Sequence, residues 1–143
     1  MQGYGKCVWL VMGSVCQRWV EEASTRLGTV VHRAHVTLTT RTDHMDVFPQ
    51  LYPLRFDSVC KSTTDYPWGV DAPAFHAITV NVLDPSPDYL PLNAHLSIAY
   101  RVGGNPFSEN ECALCSSVVD STQTHVPERT EYVVCEQQNF SEW

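Results

Sequence analysis

One octet occurs twice in this chain, and it constrains the fold more than any other feature. Residues 34–41 read AHVTLTTR and residues 94–101 read AHLSIAYR. Each copy runs Ala, His, aliphatic, hydroxyl, aliphatic, with an Arg six positions after the His. His35 is thus matched with Thr37 and Arg41, and His95 with Ser97 and Arg101. Side chains on a strand alternate between faces, so His35 and Thr37 point one way and Val36 and Leu38 the other. The second copy sends His95 and Ser97 out while Leu96 and Ile98 point in. Two strands of this kind need a shared apolar backing and predict an α+β domain of two related lobes. If their polar faces meet, two imidazoles and two hydroxyls converge.

The rest of the chain supplies elements for such a domain. Gly5 to Met12 is an apolar, β-favouring run that predicts a buried strand. Ser14 can cap a helix from Val15 to about Arg26, with Val15, Trp19, Val20, Ala23 and Leu27 on one side. Gly28 suits its end. Thr29 to Thr40 predicts a long strand rich in Val and Thr. Residues 43–58, with two prolines between aromatic and aliphatic residues, predict an irregular connection, and 61–74 a turn-rich loop. Phe75 to Leu83 predicts a strand with His76, Ile78, Val80 and Val82 on one face. Residues 84–92, with three prolines, predict a loop. Ala94 to Val102 predicts a strand, Ser108 to Ser121 a second helix, and Thr130 to Glu136 a last strand.

The 143 residues fit one domain, 1–143, with two pseudo-symmetric lobes and no dividing linker. Lys and Arg number 9 against 16 Asp and Glu, a net charge of −7, so a broad basic face for duplex nucleic acid is excluded. A small anionic ligand is compatible, because a local basic groove can sit on an acidic protein. The apolar run 7–12 is too short to span a membrane or form a signal core. The six cysteines, in a chain without a secretory signal, read as buried free thiols of a reducing, cytoplasmic compartment.

The repeated residues suit phosphodiester chemistry that needs no metal. A neutral His can take a proton from an attacking hydroxyl while a protonated one gives a proton to the leaving oxygen. A His pKa near ~6.5 makes both forms available around neutral pH. Thr37 and Ser97 can donate hydrogen bonds to the non-bridging phosphate oxygens. The repeat makes the two histidines near-equivalent, so base and acid are not distinguished.

HVTL at 35–38 and HLSI at 95–98 resemble the pair of His-aliphatic-Thr/Ser-aliphatic signatures that defines the two-histidine (2H) phosphoesterase superfamily. The opening strand, helix, strand order is similar as well. Compact length, cysteines and the lack of basic tails are most similar to the viral branch. Within it they resemble the torovirus domains at the C-terminal end of the replicase polyprotein, akin to the coronavirus accessory phosphodiesterases. The resemblance implies a bilobal α+β fold, with two antiparallel sheets around a central groove and helices outside. It implies cleavage of 2′,5′-oligoadenylates without cofactor or metal, antagonism of host RNase L activation, and action as a monomer in the host cytoplasm. Other activities in the same superfamily are hydrolysis of a 2′,3′-cyclic phosphate and RNA 3′-end processing. A non-catalytic nucleotide-binding domain is the reading from a different class.

Other residues are candidates for the same site. Arg41 and Arg101 can clamp phosphate, but six residues of strand span about 20 Å, which favours a second phosphate over the scissile one. Phe48, Tyr66 and Trp68 in loops are candidate adenine-stacking surfaces. Tyr100 alternates to the face opposite His95, which predicts core packing. His32 with His35 spells HxxH, and Cys112 with Cys115 spells CxxC, a pattern that suggests zinc. The odd spacing of the histidines on a strand and the helical setting of the cysteines argue against it. His44, His76 and His125 have no partner pattern.

Overall fold

A computed structural model of the chain describes residues 5–39, 51–83 and 94–135. Arg41, His44 and Phe48 lie outside these residues. The element order is β1 (Gly5–Val11), α1 (Ser14–Leu27), β2 (His35–Thr39), β3 (Lys61–Asp65), β4 (Phe75–Asn81), β5 (His95–Val102), α2 (Glu109–Val118) and β6 (Arg129–Cys135). The fold is α+β. The six described strands form one sheet in the order β3-β4-β5-β2-β1-β6, antiparallel throughout. Two separate sheets were expected. They are one because β2 and β5 pair directly, through Val36 and Leu96, at the centre. Three strands lie on either side of that seam.

Both helices cover the same face of the sheet and share one core. Val8 and Leu10 of β1, Met12 just after it, Val36 and Leu38, Ile78 and Val80, and Leu96 and Ile98 point into it. Helix α1 contributes Cys16, Trp19, Val20 and Ala23, and α2 contributes Cys115. Leu54 and Phe56, from the connection read as irregular, are also fully buried there. They are held by single bridges to His125 and Val82. No described helix is long and apolar enough to cross a membrane.

Several local expectations are corrected. Ser14 is the first helical residue and Gly13 the N-cap, without a side-chain cap bond. Val15 is 43% exposed, and Cys16 takes the buried place expected for it. Gly28 ends α1 in the left-handed conformation, φ 72°, as a glycine there allows. Helix α2 opens on a capping box: Ser108 accepts from the Glu111 N–H and the Glu111 carboxylate accepts from the Ser108 N–H. β2 begins only at His35, and the preceding residues run outside the sheet. β3 lies inside the 61–74 segment whose turn residues predict a loop. It is an edge strand with every side chain exposed, so no alternation of burial marked it.

A bulge in β5 matters most for the site. Ile78 pairs with Ala99 and Thr79 with Ser97, which leaves Ile98 as an extra residue on β5. Ile98 and Ala99 both lie in the core, and alternation resumes one position out of phase. Tyr100, opposite Ala77, is thereby turned to the face of Ser97. Arg101 is turned to the helices.

Candidate active site

The antiparallel pairing of Val36 with Leu96 sets their neighbours across from each other: His35 opposite Ser97, and Thr37 opposite His95. Side chains directly opposite lie about 4.5–5.5 Å apart at Cβ, and diagonal ones about 7–8 Å. The two imidazoles therefore occupy diagonal corners of a four-residue patch, with a hydroxyl at each remaining corner. The core-facing side of both strands is apolar, so this patch is fixed on the face away from the helices. His35 and Ser97 are buried there, and Thr37 and His95 are half-buried.

His35 is held from two directions. Its Nδ1 donates to the carbonyl oxygen of Arg33 at 2.7 Å. A carbonyl only accepts, so the neutral ring carries its proton on Nδ1 and its lone pair on Nε2. The ring also lies flat on Trp9 of β1, 3.7 Å between centroids and 12° between planes. The segment that delivers His35 is clamped by Gln17 of α1. Its side-chain nitrogen donates to the His32 carbonyl and its oxygen accepts from the Ala34 N–H.

His32 belongs to the same neighbourhood. The chain reaches β2 only at His35, so the odd spacing does not send the two histidines apart: their rings are 6.4 Å from each other, edge to face. The His32 Nε2 donates to the Ser97 carbonyl oxygen at 2.7 Å. Burial pushes its pKa down, against smaller opposing pushes from the Ser97 and Val30 backbone. Tyr100 meets His32 edge-on at 5.3 Å and stacks on Phe75 at 5.5 Å. The HxxH spelling was the signal for His32, but it pointed to a metal. The bulge that re-aims Tyr100 left no mark in the residue pattern.

Three buried side-chain atoms in the described residues have no hydrogen-bond partner: Trp9 Nε1, His32 Nδ1 and Ser97 Oγ. All three residues surround His35. Buried polar groups are nearly always satisfied, and those that are not mark strain or a missing ligand.

Arg101 is not brought to this patch. Its guanidinium sits over the Phe107 ring at 4.1 Å, bonds the carbonyls of Asn105 and Pro106 and pairs with Glu111 of α2. Trp68 lies half-buried and Tyr66 exposed in the turn between β3 and β4. His76 is structural: its Nε2 donates to the Gly104 carbonyl and its Nδ1 accepts from the Thr64 hydroxyl. His125 packs edge-on against Trp19. Cys16, Cys60, Cys112 and Cys115 are free thiols. Among the described residues no three His, Cys, Asp or Glu side chains form a group fit to hold a metal. Comparison with protein-family models, with curated proteins and with solved structures finds no match to this chain.

Proposed function

We propose that the chain is a metal-independent phosphodiesterase of the two-histidine type that cleaves 2′,5′-linked oligoadenylate. The observation that carries this reading is the register of β2 and β5, which sets His35 diagonal to His95 with Ser97 and Thr37 across from them. A diagonal of about 7–8 Å leaves room for one phosphoryl group between two imidazoles. The two hydroxyls then flank its non-bridging oxygens.

In a 2′–5′ linkage the ribose 3′-hydroxyl neighbours the phosphorus. One imidazole takes the hydroxyl proton as the 3′-oxygen attacks. The P–O5′ bond breaks, and the other imidazole, protonated, gives its proton to the departing 5′-oxygen. The products are a 2′,3′-cyclic phosphate and a free 5′-hydroxyl. Hydrogen bonds from Thr37 and Ser97 stabilise the charge that builds on the phosphoryl oxygens. Tyr100, half-buried on the same face, offers a ring for an adenine. Removal of such an oligonucleotide in the host cytoplasm would deprive RNase L of its activator. The net charge of −7 suits a short anionic ligand better than long RNA.

The test is incubation of the purified chain with 2′,5′- and 3′,5′-linked triadenylate in EDTA, beside His35→Ala and His95→Ala, with products resolved by chromatography. Selective loss of the 2′,5′ substrate, abolished by either substitution in folded protein, is the expected result. Full cleavage by either variant, or a requirement for divalent metal, overturns the mechanism. Turnover of 2′,3′-cyclic phosphates alone would move the substrate, and tight binding without turnover would make the patch a nucleotide-binding site.

A further inference from the structure

Trp9 lies on the sheet face opposite the main core, in a small cluster with Val11 and Val133. Its indole covers the His35 imidazole at 3.7 Å and 12°. Aromatic pairs that merely fill space favour offset or edge-on contacts about 4.5–7 Å between centroids, so this flat overlap is unusually close. The indole nitrogen is buried and has no hydrogen-bond partner. An unsatisfied buried donor costs about 1–3 kcal/mol, which Phe or Leu at the same place would avoid. Leucine would pack here without that cost but would give the imidazole no flat face, and that face is what an aromatic residue supplies at this place.

We propose that Trp9 is a positioning residue for His35, fixing the plane of the imidazole that transfers a proton in the reaction above, on which this inference rests. The imidazole has two torsions to restrain. The bond from Nδ1 to the Arg33 carbonyl fixes the tautomer and which edge of the ring faces the site. It leaves the ring free to rock about that bond. The indole face removes the rocking, because tilting the imidazole breaks contact over its whole area. The Nε2 atom is then held in one orientation. β1 delivers the indole because Trp9 pairs with Thr37 and Val11 with His35, which sets Trp9 diagonal to His35 on the same face. The indole face also attracts the imidazolium that forms during turnover.

The test uses Trp9→Phe, which keeps a ring under His35, beside Trp9→Leu and Trp9→Met, which do not, all in the full chain with folding checked by thermal melts. Two readouts are needed: steady-state cleavage of 2′,5′-triadenylate, and the NMR shifts of the His35 ring protons. A stacked indole or phenyl shifts those protons upfield by ring current, whether or not any substrate turns over. The expected result is loss of the upfield shift in the Leu and Met variants, with kcat down roughly ten- to a hundredfold and KM within about twofold. Trp9→Phe should keep both the shift and most of kcat. Unchanged kcat in a folded Leu or Met variant overturns the role of Trp9 and leaves the phosphodiesterase reading intact. So does a Phe variant that keeps the stack but is as impaired as Leu. No cleavage by the unsubstituted chain overturns the phosphodiesterase reading, and with it this inference.

Discussion

His32 and Ser97, 65 residues apart, are joined by one short hydrogen bond: the imidazole Nε2 donates to the backbone carbonyl at 2.7 Å. The bond ties the segment entering β2 to the strand that carries the second motif. Both sheet halves thus depend on a histidine whose pKa lies below its ordinary 6.5, chiefly through burial. Above that value the folded and unfolded chains both hold it neutral, and its full contribution to stability is present. As pH falls below 6.5 toward the depressed folded value, the unfolded chain takes up a proton that the folded one resists, and stability drops. Urea unfolding at pH 7.5 and 5.5 should show a smaller acid loss for His32→Gln than for the unsubstituted chain. Parallel losses would contradict the assignment.

Ser97→Ala should separate stability from activity. The Ser97 hydroxyl is buried and unpartnered, so its removal relieves an unsatisfied group and leaves the melting temperature unchanged or raised, by up to about 1 kcal/mol in stability. If the hydroxyl meets the phosphoryl oxygens, cleavage falls by roughly a hundredfold in the same variant. A variant that loses stability and keeps activity would place Ser97 in the framework instead.

Arg101→Ala should do the reverse. The guanidinium is engaged with Phe107, Asn105, Pro106 and Glu111 on the helix side. Its loss should lower stability by about 1 kcal/mol, most of it from the aromatic contact and the carbonyl bonds. Cleavage rate and KM should stay within about twofold, as chromatographic assay of the folded variant will show.

The described thiols should differ sharply in reactivity. Burial pushes the pKa of Cys16 and Cys115 up to about 12 and that of Cys60 up to about 11. Almost no thiolate forms on these three at pH 8. Iodoacetamide at that pH, followed by peptide mapping, should modify the half-buried Cys112 first and the other three only after unfolding. Fast labelling of Cys16 in the native chain would show that α1 opens readily.

Much of the patch was legible because alternation is a geometric rule wherever one side of a strand is buried. Val36 and Leu96 are fully buried, which fixes where their neighbours His35, Thr37, His95 and Ser97 must point. The rule fails where the backbone gains a residue. The bulge at Ile98 and Ala99 reverses Tyr100 and Arg101, so the tyrosine expected in the core faces the patch and the arginine expected near it does not. β3 was illegible for a different reason: an exposed Ser-Thr-Thr edge strand buries nothing and is held by backbone pairing alone. Trp9 read only as part of an apolar run. Its stacking depends on β1 lying beside β2 in one register, a fact of tertiary pairing. The single sheet likewise follows from the one contact, between β2 and β5, that no local pattern encodes. Arg41 and Phe48 lie outside the described residues.

The placement of β6 has a consequence for how the chain comes off the ribosome. β1 precedes every other described strand in the chain, yet its outer neighbour is β6, which follows them all, with Gly5 across from Cys135 and Val11 across from Arg129. Until that strand emerges, one side of β1, the strand bearing Trp9, has no backbone partner, and an unpaired strand edge invites association with other chains. The strands flanking the seam cannot mature one after the other as they are translated. β1 must wait, with one edge open, until β6 has been made.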